Sequence, residues 1–70
     1  MERTYKVIEV VGISEKSYAE ATRNAVEQAA RTLKGLAWFE TTQMRGLIRD
    51  GRVAEFQVTV KIGFRLLENA

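Results

Sequence analysis

No cysteine, histidine or proline occurs in the 70 residues of this chain. The missing cysteine excludes disulfides and thiolate metal sites, and the missing histidine removes the commonest metal ligand and general base. Serine–histidine and cysteine–histidine nucleophile sets are therefore impossible. No glycine-rich phosphate loop is present, and no carboxylate pair has a neighbour suited to acid–base work. Glu9 and Glu55 read as charge-paired or solvated strand residues. No enzyme activity is expected. No apolar run approaches membrane-spanning length, and Met1-Glu2-Arg3-Thr4 lacks the apolar region of a secretory leader. The expected setting is cytoplasmic, with no membrane partner. Eleven basic against nine acidic residues give a net charge of +2, too small to call for nucleic acid. Without a linker, repeat or low-complexity stretch, residues 1–70 read as one domain. A chain this short buries only about 60% of the surface it exposes when unfolded. With disulfides and thiolate metals excluded, self-association is the support that remains.

What is present reads as strand, helix, strand, strand, an α+β chain. Tyr5 to Val11 is rich in β-branched residues and stops at Gly12, which predicts the first strand. Ser17 with Glu20 three positions on matches a capping box, with Ser14 a rival cap. Tyr18, Ala21, Thr22, Ala25, Ala29, Leu33 and Leu36 share one side of the wheel that follows, and Glu20, Arg23, Glu27, Arg31 and Lys34 the other. This predicts an amphipathic helix from about Ser17 to Lys34, stopped by Gly35. The charged stripe is a solvated surface with opposite charges at i,i+3 and i,i+4 spacing. Ala19, Val26 and Ala30 widen the apolar side to nearly half the wheel, more than one three-stranded sheet needs. Packing against a second subunit is a use for the surplus.

The last two strands form a hairpin. Asp50-Gly51 between two strand-like runs is the strongest short-range hairpin signal, because a type I′ turn needs positive φ at both central residues. A two-residue loop there pairs Arg49 with Arg52, and paired numbers sum to 101. Trp38 then lies across from Gly63, Glu40 from Lys61, Thr42 from Thr59 and Met44 from Gln57, all on one face. Phe39, Thr41 and Leu47, with Ala54, Phe56, Val58, Val60 and Ile62, form the face expected to cover the helix. Arg45 falls on that second face opposite Phe56, where it must snorkel out or meet an anionic or planar partner.

Trp38, the only tryptophan, does not suit a polar, wet face. An indole there marks a subunit contact or a ligand stack. Gly63 marks a bulge, or a place where a ring or a backbone approaches closely. The amide of Gln57 offers donor and acceptor side by side, which suits the edge of a heterocycle. Arg65, further along the same face, could reach a phosphate or ring edge. A large aromatic opposite bare glycine, with an amide beyond it, forms a slot for a flat ligand.

The phrases Val10-Val11-Gly12-Ile13-Ser14, Leu36-Ala37-Trp38-Phe39-Glu40, Met44-Arg45-Gly46 and Phe56-Gln57-Val58-Thr59-Val60-Lys61-Ile62-Gly63-Phe64-Arg65-Leu66 resemble the bacterial dodecins over nearly the whole chain. The resemblance implies a β-α-β-β fold, with a three-stranded antiparallel sheet wrapped around one amphipathic helix, assembled into a hollow homododecamer. It implies storage or sequestration of flavin rather than catalysis. Trp38 would stack on the isoalloxazine, Gln57 would bond the ring edge, and Arg45 would belong to the pocket, with FMN the expected flavin and riboflavin the alternative. Some bacterial relatives also hold coenzyme A on basic residues, which Lys6, Lys34 and Arg65 match in kind, whereas Gln28 stands where a further basic residue would strengthen that site. Two other classes stay open on the residues alone. One is a single-stranded nucleic-acid binder that stacks bases on Trp38. The other is a structural assembly protein with Trp38 as an interface plug.

Overall fold

The computed structural model describes residues 3–66. The order is β1 (Tyr5–Ser14), α1 (Tyr18–Ala30), β2 (Leu36–Arg49) and β3 (Arg52–Arg65). The strands form one antiparallel sheet in the order β1-β3-β2, so β3 is central. This is the expected β-α-β-β arrangement. β1 extends past Gly12 to Ser14, because Gly12 stays in the ladder opposite Val58.

Gly12 acts instead as a contact point for the helix. A Cβ there would collide with the carbonyl oxygen of Ala21 and come within 2.8 Å of the Ala25 Cβ. Glycine on the strand and alanine on the helix let the two backbones close. Ala21, Ala25 and Ala29 are buried against Val58, Val60 and Ile62, with Ile8, Val10, Tyr18, Val26, Leu33 and Leu36 packed around them. Ser17 caps the helix, its hydroxyl accepting from the Glu20 N–H at 3.0 Å. The Ser14 hydroxyl holds the preceding turn by accepting from the Lys16 N–H at 2.9 Å.

The helix ends at Ala30, short of the expected Lys34. Its last turn tightens, with the N–H groups of Thr32 and Leu33 both donating to the Ala29 carbonyl. Gly35, at φ +76, is the pivot into β2 rather than the helix stop. Its carbonyl accepts from the Arg65 N–H at 3.0 Å.

The helix lies over β1 and β3 and barely touches β2. Phe39, Met44, Ile48 and Val53 are consequently exposed. The radius of gyration is 14.6 Å, against about 11 Å for a compact 70-residue domain. The accessible surface is 5555 Å², about 1,100 Å² more than a compact monomer of this mass presents. That excess exceeds the roughly 800 Å² each partner buries in a standard interface.

Candidate functional site

Asp50 and Gly51 have φ of 53 and 73, and Arg49 pairs with Arg52, as the type I′ turn requires. From Trp38 to Thr41 the pairing also follows the expected register, with Trp38 opposite Gly63 and Glu40 opposite Lys61, whereas an irregularity between Leu36 and Trp38 sets the outermost pair at Leu36 and Phe64. Between Thr41 and the turn the register differs. Thr42 is an extra residue in β2, so Gln43 pairs with Thr59, Met44 with Val58 and Arg45 with Gln57. The irregularity between Leu47 and Ile48 restores the original count towards the turn. The Thr42 hydroxyl donates to the Thr59 carbonyl at 3.2 Å and pins the first bulge.

The bulge exchanges faces. Arg45 leaves the helix side and joins Trp38, Gln57 and Thr59, whereas Met44 moves to the helix side, opposite Val58. Leu47 likewise pairs with Glu55 rather than joining the core face. Phe39 keeps its face but stands half exposed, beyond the reach of the helix.

The Trp38 indole lies flat on Gly63. A Cβ built on that glycine would strike the Cε2 and Cζ2 atoms of the indole and come within 2.8 Å of its Cδ2. Gly63 is therefore a recess for the ring, and it also lies beside an irregularity, since Ala37 is an extra residue of β2 between the Leu36–Phe64 and Trp38–Gly63 pairs. Tyr5 stands beside it, with ring centroids 6.3 Å apart at 59°. The outward face of the indole remains open, and Trp38 is 43% exposed. A hollow of about 450 Å³ follows along the same surface, lined by Glu9, Val11, Thr42, Gln43, Thr59 and Lys61 among others. Register sets Lys61 between Glu9 and Glu40 on neighbouring strands.

Beyond the hollow lie Gln57 and Arg45. Gln57 Nε2 donates to the Glu55 carboxylate at 3.1 Å, leaving its carbonyl oxygen and second N–H for other partners. Arg45 donates from both terminal nitrogens to the Thr59 hydroxyl, at 3.0 and 2.9 Å. Gln57 lies six positions before Gly63 on β3, about 20 Å of strand. One chain thus offers an aromatic platform and a polar station, not a closed pocket.

The three basic residues expected to serve coenzyme A divide differently. Arg65 pairs with Tyr5 on the Trp38 face, Lys6 pairs with Phe64 on the helix face, and Lys34 lies in the connection before β2. One chain does not gather them around a single anion. Sequence reasoning missed Tyr5, Gln43, Glu55 and Thr59. β1 carried a readable signal: Val7, Val11 and Ile13 alternate with Ile8 and Val10, so both faces of the strand are apolar. The three odd-numbered residues flank the aromatic platform and the hollow and remain exposed.

Fold and face define a small strand–helix–strand–strand protein built around an open aromatic sheet surface. The family model for dodecin matches residues 4–67. A curated dodecin from Thermus thermophilus is 43% identical over 68 residues, 97% of this chain and 99% of that protein. The solved dodecin of Streptomyces coelicolor is 55% identical with a TM-score of 0.91, covering 96% of each chain. The W38F variant of T. thermophilus dodecin has a TM-score of 0.90 at 40% identity, covering 96% of this chain and all of that one. Solved variants of that protein include R45A and R65A as well, and all three substitutions share residue type and number with Trp38, Arg45 and Arg65 here. The chain belongs to the dodecin family.

Proposed function

We propose that this protein binds and sequesters a flavin, FMN being the expected one, in pockets formed between copies of the chain in a homododecameric shell. The observation that carries this reading is the indole of Trp38 seated flat on Gly63 with its outer face open. A flat ring laid there stacks on the indole, and aromatic stacking contributes about 0.5–1.5 kcal/mol beyond the area buried. One indole on an open sheet binds weakly, because the far side of the ligand stays in water. A second copy that covers this face removes the ligand from solvent on both sides.

The excess surface and the exposed Val7, Val11 and Ile13 around the platform supply the apolar area for such contacts. Gln57 would meet the uncharged edge of the ring through its free carbonyl oxygen and N–H. Arg45 would meet a polar or anionic tail. Given 20 Å of strand between platform and station, residues from more than one copy complete each pocket. The chemistry asked of the protein is recognition and shielding, with no proton or bond to move, so no enzyme activity is assigned. Coenzyme A is a weaker candidate, since Lys6 and Arg65 fall on opposite faces of the sheet. Titration of the protein into FMN and riboflavin, read by quenching of flavin fluorescence, tests the proposal. Mass spectrometry of ligand released from the purified protein identifies what it carries. A colourless protein that leaves flavin fluorescence unchanged would reject it.

A further inference from the structure

We infer that Thr59 is a positioning residue that selects which edge of Arg45 faces the ligand, and so sets a preference for an anionic flavin; this rests on the flavin-binding reading above. The donors of Arg45 are unequally engaged. A guanidinium has five N–H groups in a fixed plane. Nη1 and Nη2 both donate to the Thr59 hydroxyl, at 3.0 and 2.9 Å, which uses the end-on edge. The second Nη1 hydrogen is directed to Gln43 Oε1 at 3.5 Å. What remains is Nε–H and the adjacent Nη2–H, a parallel pair that matches two oxygens of one phosphate or carboxylate.

Thr59 is built to hold this arrangement. It is only 7% exposed, and it lies on the central strand. Its branched side chain is stiff at χ1, which fixes the hydroxyl oxygen. The two lone pairs of that oxygen match the two N–H groups it receives. Its carbonyl accepts from Thr42 in the bulge that brings Arg45 to this face. One residue therefore anchors both the backbone and the side chain of the station. The ligand group that fits the free edge is a phosphate monoester, as in FMN, and riboflavin offers no such group.

The test uses the assembled protein with Thr59→Val, which keeps the branched shape and removes the acceptor, and Thr59→Ser, which restores it. The quantity read is the ratio of FMN to riboflavin affinity. Thr59→Val should reduce that ratio about tenfold, the scale of one charge-assisted contact, and Thr59→Ser should return it. Combined with Arg45→Ala, Thr59→Val should add nothing further. A second readout needs no flavin: inorganic phosphate should shift the Arg45 Nε–H resonance in the wild type and Thr59→Ser but not in Thr59→Val. An unchanged ratio, an equal loss for both flavins, an additive double variant or a phosphate response that survives Thr59→Val would each overturn the inference. If the wild type binds neither flavin, the functional reading fails while the phosphate titration still decides the role of Thr59.

Discussion

Gly63→Ala adds one methyl group where the ligand-binding reading is most exposed to test. Gly63 is not among the positive-φ residues, so the backbone accepts alanine without strain. The nearest obstacle is the indole. The new Cβ would overlap Cε2 and Cζ2 and sit 2.8 Å from Cδ2, whereas ordinary contact begins at 3.4 Å. Relief requires the ring to rise or to swing off the sheet. Overpacking of this kind costs about 1–3 kcal/mol. Because Trp38 is 43% exposed, the free protein can shed that strain by letting the indole move into solvent. Its urea midpoint should therefore change little. Binding must restore a flat platform, so the same penalty should appear as a roughly 5- to 150-fold weaker flavin affinity. Fluorescence-quenching titrations of wild type and Gly63→Ala, paired with urea unfolding of both, separate the two effects. Equal flavin affinity in the two proteins would refute the use of a flat-lying Trp38 as the platform.

At the other close contact, Gly12→Ala should behave in the opposite way. Its Cβ meets the helix backbone and Ala25, so the variant should lose about 1–3 kcal/mol of stability, and a urea midpoint equal to wild type would contradict that packing. Gln57→Leu should weaken FMN and riboflavin alike by about 1–3 kcal/mol, the scale of an unsatisfied polar group; a loss confined to one flavin would move Gln57 away from the shared ring edge. Arg45→Ala should cost FMN more than riboflavin, and more so at low salt, where the charge on the phosphate is less screened. Equal losses at every ionic strength would place Arg45 along the ring instead. Light scattering should find a large homo-oligomer, and a stable folded monomer at micromolar concentration would contradict the assembly.

Much of the fold was legible because its signals are local. Asp50-Gly51 specified the turn, Ser17 with Glu20 the helix start, and the alanine spacing the buried stripe. The pairing of Trp38 with Gly63 followed by counting back from the turn. The middle of the hairpin did not follow. The extra residue at Thr42 and the irregularity after Leu47 cancel, so a count that is right next to the turn and again from Thr41 to Trp38 is off by one between them. Nothing in the residues around Thr42 announces this, since the bond that pins the bulge goes to Thr59 on another strand. The cost of that blind spot fell on the site, where Arg45 and Met44 were given each other's faces. The helix end was overextended for a related reason. Leu33 continues the apolar periodicity, yet it packs on the core from a tightened turn after the helix has ended.

The central claim is that the open indole of Trp38 holds the flavin. Titration of FMN against wild type and Trp38→Ala, with the oligomeric state of each followed by light scattering, tests it most directly. The wild type should quench flavin fluorescence, Trp38→Ala should lose most of the affinity, and the oligomer should stay intact in both. Undiminished flavin binding by Trp38→Ala would contradict the account, and loss of the oligomer in that variant would make the indole an interface plug.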